Sequence, residues 1–180
     1  MRTTRTRRAA AAIMAGALVL AIGPAPAQAL SDGGCNVNPG LLLRNYKSNL
    51  YLQPYNDSND HGIWLEQWPR SYNIHQLWCR VTDGEWLGYE NAGSRKNLGI
   101  NYASSSAGAW AIQAWPTGAL NQDWIRVQHS GLDPSIFSLR NRNSGMCLGI
   151  DGASTNPGAH AMQFPCDGKL NQLWQERVPS

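Results

Sequence analysis

Three times in this chain a primary amide and an indole stand two residues apart: Gln76-Leu77-Trp78, Gln122-Asp123-Trp124 and Gln172-Leu173-Trp174. The chemistry open to such a pair is noncovalent. The amide donates and accepts at once, and the indole joins a large apolar surface to one N–H that needs a partner when buried. In a strand, residues i and i+2 share a face. The two side chains are therefore expected to point together into a core, with the glutamines satisfying backbone groups there. Trp78, Trp124 and Trp174 read as packing residues rather than ligand platforms, and Gln76, Gln122 and Gln172 as their polar companions.

Bond-making chemistry finds no such pattern. The acidic residues are scattered without a recurrent pair. The chain has no Gly-x-Ser-x-Gly elbow and no phosphate-binding glycine loop. His61, His75, His129 and His160 share no common column, and no C-x-x-C or H-x-x-x-H spacing marks a metal site. The expectation is a protein without enzymatic activity, cofactor or metal.

The triplets close a longer pattern that sets their positions. An Asn stands 31 residues before each Gln, at Asn45, Asn91 and Asn141. Counting from that Asn, Ser48, Ser94 and Ser144 follow, then Leu52, Leu98 and Leu148, then Ser58, Ser104 and Ser154. Gly62, Gly108 and Gly158 come next, then Gln67, Gln113 and Gln163. These eight columns match without a gap, and the copies are offset by 46 and then 50 residues. Self-similarity at this period marks one structural unit used three times. The copies run over about 40–83, 84–134 and 135–180, after an arm at 30–39, with no linker between them.

Within each copy the signals are short apolar runs separated by Asn, Ser and Gly turns. Residues 41–45, 86–89 and 136–140 are candidate first strands. Residues 50–52, 97–100 and 146–150 are candidate second strands. The third strand carries Gln67, Gln113 or Gln163, and the fourth carries Gln-x-Trp. No segment after the amino terminus keeps helical periodicity. Three repeats of four strands predict an all-β body of twelve strands with pseudo-threefold symmetry, in which no repeat can bury its apolar face alone.

Residues 1–29 read as a secretory signal. Arg2, Arg5, Arg7 and Arg8 precede a chargeless apolar run, Ala9 to Ile22, and Ala27-Gln28-Ala29 offers small residues for cleavage. Arg7-Arg8 raises a twin-arginine route, although Ala follows the pair. The run is too short to span a bilayer. The expectation is secretion, with 30–180 as one mature domain and no membrane insertion. Of the 15 Lys and Arg, four leave with the signal, so the mature chain carries 11 against 12 Asp and Glu. Without a basic cluster, nucleic acid loses its electrostatic basis as a partner. All four cysteines lie in the exported part. An even number in an oxidising destination predicts two disulfides, Cys147–Cys166 within the third repeat and Cys35–Cys79 bracketing the first.

This pattern resembles the ricin-type β-trefoil lectins, a family with a Gln-x-Trp triplet in each of three repeats. The likeness spans about 140 residues. It is closest in the third repeat, through Met146-Cys147-Leu148-Gly149-Ile150, the step to Cys166, and Asn171-Gln172-Leu173-Trp174. The resemblance implies a β-trefoil with one shallow sugar pocket per lobe. Each would be built from an Asp two residues after the Cys position, an aromatic on the third strand and an Asn just before the triplet. The aromatics map to Trp68, Trp115 and Phe164, and the Asn to Asn121 and Asn171, with His75 in lobe one. The Asp position holds Gln53, Gly99 and Gly149, so the carboxylate is missing from every lobe.

Two residues further along the strand stand Tyr55, Asn101 and Asp151. Asp151 with Phe164 and Asn171 forms the expected modified site, which makes lobe three the best candidate, while Asn101, Trp115 and Asn121 are the candidate binding residues of lobe two. Asp151 equally reads as the local cap of the turn Asp151-Gly152-Ala153. Trp64 and Trp110 share a column with His160. Near Trp68 and Trp115 they read as paired aromatics, suited to a polysaccharide face, a protein interface or partial burial. The implied function is a free-standing, secreted, non-enzymatic carbohydrate-binding protein. Its lobes would each bind weakly, at roughly −4 kcal/mol, and act together on a polymer. The competing class is a protein-binding trefoil, an inhibitor or the adhesion subunit of a toxin, with its sugar pockets lost.

Overall fold

The computed structural model describes residues 40–179. Twelve short strands follow one another: β1 (Leu41–Asn45), β2 (Tyr51–Pro54), β3 (Leu65–Trp68), β4 (Leu77–Asp83), β5 (Trp86–Asn91), β6 (Asn97–Ile100), β7 (Ala111–Ala114), β8 (Trp124–Gln128), β9 (Ile136–Asn141), β10 (Cys147–Ile150), β11 (Ala161–Phe164) and β12 (Trp174–Arg177). Six of them close a ring. β1 pairs β4, β4 pairs β5, β5 pairs β8, β8 pairs β9, β9 pairs β12, and β12 returns to β1, all antiparallel. The hairpins β2–β3, β6–β7 and β10–β11 cap one end of the barrel and touch each other through Trp64↔Ile112, Trp110↔Met162 and Glu66↔His160. This is the β-trefoil.

The three tryptophans of the triplets are fully buried. Their indole N–H groups donate to Leu52 O at 3.0 Å, Leu98 O at 3.1 Å and Leu148 O at 2.9 Å. Each also faces the column Asn of the following repeat across the barrel ladder: Trp78 opposite Asn91, Trp124 opposite Asn141 and Trp174 opposite Asn45. Two residues beyond each Trp stand Arg80, Arg126 and Glu176. These meet in a charged knot, with Arg80 at 2.8 Å and Arg126 at 3.2 Å from Glu176, and with the Tyr89 hydroxyl donating to the same carboxylate at 2.7 Å. Burial, and then the Glu176 charge, push the Tyr89 phenol well above its ordinary pKa of 10.0.

The glutamines of the triplets depart from the sequence expectation. Gln76, Gln122 and Gln172 do not lie on the fourth strand. Each ends a short 3-10 turn, Ile74–Gln76, Leu120–Gln122 or Leu170–Gln172. They are buried, but their amides hold the loop after the third strand, donating to Pro69 O at 2.7 Å, Trp115 O at 2.8 Å and Pro165 O at 3.0 Å. The turn breaks the two-residue alternation that would have sent Gln and Trp the same way.

Contacts between repeats fall to the other glutamine column. Gln67 accepts from Ser48 Oγ at 2.6 Å and donates to Ser154 O and Asn156 O of the third repeat. Gln113 accepts from Ser94 and donates to Ser58 O and Asp60 O of the first. Gln163 accepts from Ser144 and donates to Ser104 O and Ser106 O of the second. The loops so gripped turn at Gly62, Gly108 and Gly158, at φ of +80°, +80° and +81°. Their N–H groups return the contact to Gln113 O, Gln163 O and Gln67 O. That left-handed conformation is why glycine occupies the column.

The expected Cys147–Cys166 disulfide is present, tying β10 to the loop after β11. Cys79 is disulfide-bonded rather than free, while Cys35 and the signal at 1–29 lie outside the described residues.

Candidate functional site

Each lobe carries a shallow hollow between the end of its second strand and its third-strand aromatic, which in lobes two and three reaches the turn before the triplet. The hollow of lobe two is about 510 Å³, lobe one's about 340 Å³ and lobe three's about 310 Å³. All lie within or near the size range of small-ligand clefts.

In lobe two the expected residues come together. Asn101, Trp115 and Asn121 all line the hollow. Trp115 is 56% exposed. The Asn121 amide donates to Ile100 O at 2.7 Å, and its Oδ1 takes no hydrogen bond among the described residues, so an acceptor remains for a ligand. The Lys96 ammonium sits over the Trp115 ring at 4.0 Å, a cation–π contact, and His61 from lobe one lies near-parallel to it at 6.4 Å. The backbone N–H of Trp115 also donates to His61 Nδ1 at 3.1 Å, so a neighbouring repeat helps hold the main chain that carries the ring.

In lobe three, Phe164 and Asn171 line the hollow, and Asn171 donates to Ile150 O at 3.0 Å, as Asn121 does in lobe two. Asp151 does not line it. It is exposed as the first residue of the 3-10 turn Asp151–Ala153, whose cap position is Ile150. The carboxylate of this hollow is Asp167, paired with Lys169 at 2.8 Å. The hydrogen bond from Lys169 holds Asp167 below the ordinary aspartate range and raises Lys169 in turn.

In lobe one, Trp68 lines the hollow with Gln53, Tyr55, Asp57 and Glu66, whereas His75 does not. His75 instead bonds Asn73 Oδ1 at 3.0 Å and Asn59 Oδ1 at 3.1 Å. Gln53 is buried, donates to Glu66 Oε1 at 3.1 Å and accepts from Gln76 at 2.9 Å. Burial raises the Glu66 carboxyl above the ordinary 4.5.

The missing Asp has a steric counterpart. A Cβ at Gly149 would stand 3.0 Å from Gln172 Cγ and 3.3 Å from Phe164 Cδ2, and one at Gly99 would stand 3.1 Å from Gln122 Cγ. The triplet glutamines and the platform ring fill the room an aspartate would need. The expected pairing of Trp64 with Trp68 and of Trp110 with Trp115 does not form. Trp64, Trp110 and His160 gather where the three hairpins meet, with ring centroids 5.7, 5.6 and 5.2 Å apart.

Sequence reading missed Glu66, Asp57, Asp167, His61 and Tyr102 as lining residues. Only Glu66 carried a local signal, since it stands two before Trp68 on β3 and shares its face.

A family model described as ricin-type beta-trefoil lectin domain-like matches residues 120–179. No curated protein matches. The designed threefold-symmetric protein ThreeFoil is 30% identical at a TM-score of 0.73, with 78% of this chain and 98% of that one covered. The Macrolepiota procera ricin B-like lectin, solved with lactose, is 18% identical at a TM-score of 0.67, over 77% and 94%. An exo-β-1,3-galactanase from Clostridium thermocellum is 23% identical at 0.75, but the chain spans only 31% of that enzyme, 80% of this one being covered. The chain belongs to the ricin-type β-trefoil lectin-like family.

Proposed function

We propose that this protein is a secreted, non-enzymatic carbohydrate-binding protein that holds neutral saccharides weakly through its lobe hollows. The observation that carries this reading is lobe two, where an exposed indole stands beside two asparagine side chains in one hollow. A pyranose has a C–H-rich face that stacks on a flat apolar ring and a hydroxyl edge that bonds amides. Trp115 answers the first need, and Asn101 and Asn121 the second. Trp68 and Phe164 repeat the platform in lobes one and three. With no carboxylate in the family's usual place, hydroxyl binding is weaker, and affinity for a polymer comes from lobes acting together. Lactose, bound by the Macrolepiota lectin, and β-1,3-galactan, named in the galactanase, are the first ligands to try.

A glycan array followed by titration calorimetry tests the reading. Binding that Trp115→Ala and Phe164→Ala each weaken supports it. No heat with any glycan, together with capture of a defined protein partner, replaces it with the protein-binding reading. The Lys96 ammonium already seated on the Trp115 ring favours that alternative, because it occupies one stacking face. Recovery from culture medium of a chain beginning at Leu30 tests export.

A further inference from the structure

Tyr102, like Tyr72 at φ +58°, is an exposed tyrosine on left-handed backbone, and it alone of the two borders a lobe hollow. It is 94% exposed and lies in the left-handed region, at φ +51° and ψ +24°. The same position in the other lobes holds Asn56 at φ +53° and Gly152 at φ +55°. Asn and Gly are the residue types that tolerate this conformation, and a tyrosine is not. Its strain brings no packing in return, since the ring joins no aromatic pair among the described residues. Strain kept without structural gain is a mark of function.

The turn that carries Tyr102 is held firmly. The Asn101 N–H donates to Trp110 O at 3.0 Å and the Ser104 N–H to Asn101 O at 3.1 Å. Asn143 of the third repeat donates to Ala103 O at 2.8 Å, and the Ser106 N–H to Ser104 Oγ at 3.1 Å. The side chain thus projects from a rigid base, as a recognition group should.

Tyr102 and Asn101 line two hollows at once. One is the lobe-two hollow with Trp115 and Asn121. The other, about 390 Å³, is lined by Ser104, Gly108 and Trp110, whose ring is 40% exposed. Three exposed aromatics, Trp115, Tyr102 and Trp110, therefore border adjoining hollows with amide and hydroxyl groups between them. Neither lining includes a carboxylate, lysine or arginine, and the nearby Lys96 ammonium covers a single face of the Trp115 ring. The other lobes do not repeat this: lobe one has Asn56 and lobe three Gly152 in place of Tyr102, and lobe three has His160 in place of Trp110.

We infer that lobe two is an extended site for a neutral oligosaccharide of at least two sugar rings, one seated against Trp115 and the next carried across Tyr102 to Trp110. This rests on the carbohydrate-binding reading above and adds chain length and a second subsite to it. Alternating C–H faces and hydroxyl edges of a linked pyranose chain match alternating aromatic and amide groups. A single sugar fills only one of the two hollows.

The experiment is calorimetry with the monomer and the linear trimer of β-1,3-galactan, cellulose, xylan and chitin. The protein is the full mature chain carrying Trp68→Ala and Phe164→Ala to silence the other lobes, with and without Tyr102→Asn. Asn is the residue that lobe one already uses at this position, so the variant should keep or raise the thermal midpoint. The parent should bind one trimer at least about tenfold more tightly than its monomer, and Tyr102→Asn should erase that advantage. Equal affinity for monomer and trimer, or an advantage that survives Tyr102→Asn, overturns the extended site while leaving carbohydrate binding in place. No binding by the unmutated protein to any of the eight sugars overturns both.

Discussion

The frame shared by the three repeats and the hollows on its outside follow opposite rules. Every column identical in all three copies does structural work. The Leu and Trp columns fill the core, the Asn and Ser columns close turns, Gly turns the inter-repeat loops, and the two Gln columns hold those loops and the one before each triplet. No hollow keeps one lining in all lobes. Lobe one sets Glu66 and Asp57 beside Trp68, lobe two sets His61 and Tyr102 beside Trp115, and lobe three sets Asp167 and Lys169 beside Phe164. Internal symmetry marks what three copies must share to close a ring, and broken symmetry marks where a lobe is free to choose a ligand.

That contrast can be broken most decisively at the core. Trp124→Ala should destabilise the whole domain by about 3–5 kcal/mol, read by denaturant unfolding, because it empties a fully buried site and orphans Leu98 O. A stable variant that had lost only ligand binding would make the frame part of the site.

Next in size is the inter-repeat clasp. Gln163→Ala removes the acceptor of Ser144 and the donor to Ser104 O and Ser106 O, and should cost about 2–3 kcal/mol in the same assay. A loss confined to the third lobe, with the rest unfolding as before, would show that the repeats fold as separate units.

In the hollows the effect should invert. Trp115→Ala should change stability by no more than about 0.5 kcal/mol, as for other exposed positions, while weakening glycan binding in calorimetry. Phe164→Ala should weaken binding similarly, with a somewhat larger stability cost because its ring packs beside Gly149.

Glu66→Gln should have a small effect on stability, and it depends on pH. Burial raises the folded-state pKa of Glu66, so its contribution to stability is fully present at low pH and is lost as pH rises through that value. Glutamine keeps an acceptor for Gln53 and cannot ionise. The variant should be more stable than wild type at neutral pH by less than about 1 kcal/mol, with the gain fading as pH falls into the carboxylate range. A gain that persisted at low pH would point to packing rather than charge.

The amino-acid pattern alone determined the threefold repeat, the strand content and the three core tryptophans, because these rest on local periodicity and on matched columns. It also picked out Trp115, Asn121, Asn101, Phe164, Asn171 and Trp68, which the fold brings to the hollows. Only the tertiary structure decided the rest. A 3-10 turn before each fourth strand takes Gln76, Gln122 and Gln172 off that strand and commits their amides to the preceding loop, which alternation alone does not reveal. Asp151 leaves the lobe-three hollow to Asp167, which comes from the far side of the β10–β11 hairpin. Gln67 reaches Ser154, 87 residues away, and His61 reaches Trp115 across 54, through the closure of the ring. Local periodicity sets what one repeat builds, but the side chains that meet at a hollow come from loops and repeats joined only when the barrel closes.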